Sequence, residues 1–416
     1  MATRGDRRRP RLRAVAGLLA LIGVALVVGF EAAVVLLPPS DAGGAPPGPV
    51  ESRAPESATP GLARATVSPS SKPSPSPTIG APSSPTIAQL VGQKLAIRMD
   101  GTTPSAALLG RIRRGEVGAV VLFGKNFVDE AGLIALTTTL HSAARDGGQP
   151  PLLLMIDQEG GRIRRLPWAP PDTSATAMGR SLDADAVEAV GAATADALRR
   201  DGINVDLAPV EDVPGSGSVT GFMAAADRTF AMDAPTVSQL ATAFARGLES
   251  RGVSATLKHF PGLGRVRQNT DKFVEKVGAS RAQLDRDLAP FRAGIAAGMP
   301  IVMLSNATYL ALDDVNAAGW SEVVGTQLLR GELGFTGVTI TDSLTGAAKA
   351  RGTTPEALAA RAAEAGTDML MLTGSEAETA GAFDYLGTRA GSGSIPLAAL
   401  DASYARILAL KATIKP

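Results

Sequence analysis

From residue 87 onward the chain repeats one pattern: a short, nearly continuous apolar run followed by a stretch with helical spacing. The runs are LAIRMD (95–100), VGAVVLF (117–123), PLLLMID (151–157), INVDLAPV (203–210), SATLKHF (254–260), IVMLSNA (301–307), GVTITDS (337–343) and DMLML (368–372). A strand that is apolar on both faces must be covered on both faces, as parallel strands joined by helical crossovers are. The segments between them, such as 186–200 and 236–251, carry apolar residues at helical spacing. Eight such units over roughly 330 residues predict a (β/α)8 barrel of the TIM type. A doubly wound sheet is the alternative, weakened because no glycine-rich dinucleotide loop follows the first runs.

The polar residues within these runs collect at one end. Asp100, Asp157, Lys258, His259, Asn306 and Asp342 each close an apolar run, and barrels build their active sites at the C-terminal ends of the strands. Any one Asp or Asn in such a place can be a helix cap; the group together predicts a polar site for a polyhydroxylated ligand. The chain has no cysteine, which excludes thiolate metal sites, a cysteine nucleophile and disulfides. Neither a metal-ligand spacing nor a serine-hydrolase motif occurs, so no metal and no organic cofactor are expected. Lys and Arg number 41 against 40 Asp and Glu, which gives no electrostatic reason to expect nucleic acid as a partner. A monomer is the default expectation.

The N-terminus reads differently. Residues 1–13 form a basic cluster, and residues 14–37 are apolar except for Glu31. About 20 apolar residues span a bilayer as a helix, and the basic flank marks the cytoplasmic side. The expectation is a single-pass membrane anchor with the rest of the chain extracytoplasmic. Secretion after signal-peptide cleavage is the alternative, although the apolar run is long for it. Residues 38–85 are rich in Pro, Ser, Ala, Gly and Thr, too poor in large apolar groups to fold. They read as a disordered spacer ahead of a barrel domain at 86–416.

Four motifs carry a resemblance. IDQEGGRIRRL (156–166), DRTF (227–230), KHFPGLG (258–264) and GVTITDSL (337–344) resemble, in order and spacing, the motif series of glycoside hydrolase family 3, in its single-barrel β-N-acetylglucosaminidase branch. The resemblance implies a retaining hydrolase of terminal β-linked N-acetylglucosamine, with Asp342 as the nucleophile that forms a glycosyl-enzyme. It implies that Asp157, Arg228, Lys258 and His259 bind the sugar. Gly160 and Gly161 would permit close backbone approach to the ligand. Of Arg162, Arg164 and Arg165, at least two are expected to sit in a solvated loop with ion pairs. His141 reads as a surface helix residue.

One loop departs from the pattern. The family's loop carries a histidine where Leu263 stands, and a D-S-H whose histidine is the acid/base where Asn269, Thr270 and Asp271 stand. The other histidine of the chain, His141, lies far from these motifs. Asp271 is then the candidate acid/base, forming a two-carboxylate pair with Asp342; that requires its pKa to be raised, against which Lys258 would work. A slow enzyme restricted to good leaving groups, a sugar-binding domain without catalysis, and a β-glucosidase are the alternatives. With the N-terminal anchor, the resemblance suggests turnover of cell-wall glycan fragments.

Overall fold

The computed structural model describes residues 84–181, 183–215 and 221–414. The basic tail, the apolar run and the spacer up to residue 83 lie outside the described residues, and among the described residues no helix is long and apolar enough to cross a membrane. Thr86 caps the helix Ile87–Gln93, its side chain accepting from Gln89 N–H while the Gln89 side chain reaches back to Thr86 N–H.

All eight predicted strands form: β1 (Leu95–Arg98), β2 (Ala119–Val121), β3 (Leu153–Ile156), β4 (Val205–Asp206), β5 (Ser254–Phe260), β6 (Ile301–Leu304), β7 (Val338–Thr341) and β8 (Leu370–Leu372). They are parallel and ordered 7-6-5-4-3-2-1-8. A bridge between Ile340 and Met369 joins β7 to β8 and nearly closes a TIM-type barrel. The helices predicted at 186–200 and 236–251 appear as α1 (Ala184–Arg200) and α2 (Ala234–Ser250).

The continuous apolar character of the runs has a direct cause. Alternate residues of each strand face opposite sides, and both sides are buried. Ala96, Val121, Leu153, Met155, Val205, Ile301, Met303, Val338 and Ile340 fill the barrel interior. Their neighbours, such as Leu95, Ile97, Val120, Leu154 and Ile156, pack into the layer between strands and helices. Each such side chain contributes about 1.5–3 kcal/mol on burial. The C-terminal helix Leu397–Thr413 adds Ile407 and Leu410 to the interior cluster.

A charged network anchors that helix. The Asp368 side chain, fully buried, accepts from Arg330 Nη2 at 2.5 Å, Arg406 Nη2 at 2.7 Å and Thr339 N–H at 2.9 Å. Removing one partner of a buried ion network leaves the others uncompensated, so Asp368→Asn is expected to cost about 3–5 kcal/mol of stability. A denaturant titration checks this, with kcat/KM below the transition unchanged.

Candidate active site

Two cavities are prominent. The larger, about 950 Å³, lies beside His141 at the N-terminal ends of β3, β4 and β5 and is lined by Leu152, Asn204 and Gly252. His141 is on a helix as expected, but half-buried rather than on the surface, with Nε2 2.8 Å from the Gly202 carbonyl. The other cavity, about 690 Å³, opens at the C-terminal ends of the strands, and Asp157, Arg228, Lys258, His259, Asp271 and Asp342 all line it. Chemistry rather than size picks the second: it alone of the two gathers several carboxylates and cations at the end where barrels react.

Its floor is an ion cluster. Lys258 Nζ lies 2.7 Å from Asp157 Oδ1 and 2.6 Å from Glu159 Oε1. Arg228 grips Glu159 with both arms, Nε to Oε2 at 2.8 Å and Nη2 to Oε1 at 2.7 Å. Arg165 Nη2 approaches Asp157 Oδ2 at 3.3 Å. Burial alone would raise both carboxyls. Arg228 and Lys258 instead hold Glu159 down at about 2, and Lys258 and Arg165 hold Asp157 well below the usual carboxylate range. Burial works to lower Lys258, but Asp157 and Glu159 outweigh it and raise it. Two acids thus face three bases, and each charge of the floor has an opposite partner.

Adjacent strand residues normally face opposite ways, yet Lys258 and His259 both line the cavity; the peptide between them is cis. His259 is oriented by Asp212, which takes Nδ1 at 2.8 Å and the His259 N–H at 3.1 Å. The same carboxylate accepts Leu263 N–H at 2.7 Å, so Asp212 ties the strand end to the divergent loop. With Nδ1 engaged, Nε2 is the ring nitrogen left for a ligand. Leu263, Val266, Phe222 and Met223 form an apolar wall of the cavity.

At the mouth stand the other two carboxyls. Asp342 follows β7, and its Oδ1 accepts Ser343 N–H at 2.7 Å, just ahead of helix α3 (Leu344–Arg351). Asp271 comes from the loop after β5. Burial, with the nearby charges of Asp342 and Asp157 adding to it, raises Asp271 to about 7. Its Oδ1 is buried with no hydrogen-bond partner among the described residues. The expected opposition from Lys258 is muted, because that ammonium is already bound to Asp157 and Glu159.

Several expectations are corrected. Asp100 is not in the cavity; its side chain accepts from Glu376 N–H at 2.9 Å and pairs with Arg98, so it serves the start of a helix. Asn306 supports from behind, donating to the Ser343 carbonyl at 3.0 Å. Two of the three arginines, Arg162 and Arg165, line the cavity; only Arg164 is wholly structural, paired with Asp172 at 2.6 Å. The close approach at Gly160 and Gly161 is made by the protein's own chain. Their φ values are +96° and +55°, and a Cβ on either would meet Thr173 O at 2.2 Å or Ser174 Cβ at 2.7 Å, so they close a hairpin against a neighbouring loop. Glu159 and Asp212 were not anticipated. Glu159 was legible in principle, two residues after Asp157 and therefore on the same face of an extended segment.

Paired carboxyls beside an ion-paired floor, at the C-terminal mouth of a parallel barrel, fit a glycosidase of the barrel class. Residues 86–410 match the glycosyl hydrolase family 3 N-terminal domain. The chain belongs to that family and is a hydrolase of O-glycosides. It is 36% identical over 282 residues to a β-hexosaminidase of Tolumonas auensis, covering 66% of this chain and 81% of that one. Among solved structures it resembles a β-N-acetylhexosaminidase from Beutenbergia cavernae, with a TM-score of 0.73 and 33% identity over 79% of this chain and 99% of that one. A family 3 β-N-acetylglucosaminidase from Paenibacillus sp. FPU-7 also superposes with a TM-score of 0.73, at 32% identity over 79% of this chain and 63% of that one.

Proposed function

We propose that the chain is a retaining β-N-acetylhexosaminidase that removes terminal β-linked N-acetylglucosamine, with Asp342 as nucleophile and Asp271 as acid/base. The observation that carries this reading is the convergence of both carboxyls on one cavity, with Asp271 raised to about 7. In the first step Asp342 attacks the anomeric carbon while Asp271 passes its proton to the leaving oxygen. In the second, Asp271, now a carboxylate, takes a proton from water as the water displaces Asp342 and regenerates the acid. Asp157, Arg228, Lys258 and His259 hold the sugar hydroxyls and carbonyl oxygen. The names of the relatives support the choice of sugar. A catalytically silent sugar-binding domain has no use for a carboxyl held near neutrality beside a second one.

The test is covalent trapping. A fluorinated N-acetylglucosaminyl substrate, slow in the second step, should add one sugar mass to the intact protein, and peptide mapping should locate it on Asp342. A label on another carboxyl, or turnover with inversion at the anomeric carbon, would refute the mechanism. We further propose that residues 14–37 anchor the chain in the cell membrane, with the barrel outside acting on cell-wall glycan fragments. Release of the full chain from membranes by carbonate washing would refute the anchor.

A further inference from the structure

Asp271 has to be held beside Asp342 for the chemistry proposed, and its own loop supplies only part of the restraint. Asn269 Oδ1 accepts the Asp271 N–H at 2.7 Å, and the Asn269 carbonyl accepts Lys272 N–H and Phe273 N–H, each at 3.0 Å. This turn fixes the backbone. It does not bring the carboxyl to the barrel mouth, because the loop must also seat against α3, the helix that starts directly after Asp342.

The seat is Gly346. It lies in the first turn of α3, four residues after Asp342. A Cβ built on it would stand 2.8 Å from Asp271 Cβ, 3.0 Å from Asp271 Cα and 3.0 Å from Asp271 Oδ1. Non-bonded carbons prefer about 3.5–4.0 Å, and one of the atoms met is main chain, so rotating a side chain does not relieve the contact. Gly346 is not among the glycines with positive φ, so backbone conformation gives no reason for glycine here. Helix propensity argues against it too, since glycine is the poorest helix former after proline. What remains is space.

We infer that Gly346 is a positioning residue for the acid/base: its missing side chain lets the 268–272 loop close on α3 and seat the Asp271 carboxyl beside Asp342. This rests on the reading of Asp271 given above. A side chain at this position meets Asp271 and not Asp342, whose carboxyl is held by Ser343 N–H. The two halves of the mechanism therefore separate: attack by Asp342 survives, and protonation of the leaving oxygen fails.

The experiment compares Gly346→Ala, Asp271→Asn and the unchanged chain on β-N-acetylglucosaminides with leaving groups from dinitrophenol to phenol, and on chitobiose. Misplacing a reacting group by about 1 Å costs about 10²-fold, so Gly346→Ala should lose about that factor in kcat/KM on chitobiose. On the dinitrophenyl glycoside, which needs no proton, it should stay within about threefold of the parent. The basic limb of its pH profile should move to lower pH as Asp271 leaves the field of Asp342. Gly387→Ala, in the helix Glu376–Gly391 with nothing within 4 Å of its Cβ, is the control and should match the parent throughout. Activity on the dinitrophenyl glycoside reports that the variant is folded; should Gly346→Ala not fold, Asn269→Ala loosens the same carboxyl from the loop side and should show the same dependence on leaving group. If Gly346→Ala follows the parent across the series while Asp271→Asn loses the poor leaving groups, the positioning role is refuted and the acid/base stands. If Asp271→Asn is itself flat across the series, both fall together.

Discussion

Asp342→Asn should lower kcat/KM on every β-N-acetylglucosaminide by about 10⁴–10⁶-fold, the scale seen when a covalent nucleophile is removed. The loss should not depend on the leaving group. The reason is the position of the residue at the end of β7, where its carboxylate is fixed by Ser343 N–H at 2.7 Å and opens on the cavity. An amide keeps the shape and the polarity but cannot form the glycosyl-enzyme. Sugar binding should persist, because Asp157, Lys258, Glu159 and Arg228 form their own closed network. Steady-state rates paired with calorimetric binding of N-acetylglucosamine separate the two. A variant that binds and turns over at a tenth of the parent rate would remove Asp342 from the mechanism.

Asp271→Asn should have a conditional effect. On chitobiose or phenyl glycosides the loss should reach about 10²–10⁴-fold, the usual worth of general acid help. On the dinitrophenyl glycoside the first step should be nearly normal, and the glycosyl-enzyme should accumulate because no base activates water. In Asp271→Ala, azide, an anion that needs no base, should enter the vacated space and restore turnover by forming the β-glycosyl azide. The β configuration of that product would report two inversions and hence a retaining path. Turnover that ignores azide, with equal losses on all leaving groups, would point to a structural role for Asp271.

The barrel was legible because its strands are buried on both faces, which writes eight continuous apolar runs into the sequence. The carboxyls and cations at strand ends were legible for the same reason: against such runs, Asp157, Lys258, His259 and Asp342 stand out. Residues that act through others were not. Asp212 orients His259 across 47 positions of sequence, and only the pairing of β4 with β5 brings them together. Asp100 carried the same signal as Asp157 but caps a helix, since strand-end position does not say which way the chain turns next. Gly160 and Gly161 looked like ligand glycines, yet the loop packed on them lies more than ten residues away in sequence. The pKa of Asp271 depends on burial and on a neighbour 71 residues later, which no local pattern encodes.

The measurement that bears most directly on a two-carboxylate mechanism is the pH dependence of kcat/KM on chitobiose, for the parent and for Asp271→Asn. This parameter reports the free enzyme. Asp271 must be protonated for the first step, and a carboxyl raised to about 7 is protonated below that pH and charged above it. The parent rate should therefore fall as pH rises through about 7, and that limb should be missing from Asp271→Asn. A limb near 7 that survives in Asp271→Asn would assign the proton to another group and contradict the pairing of Asp271 with Asp342.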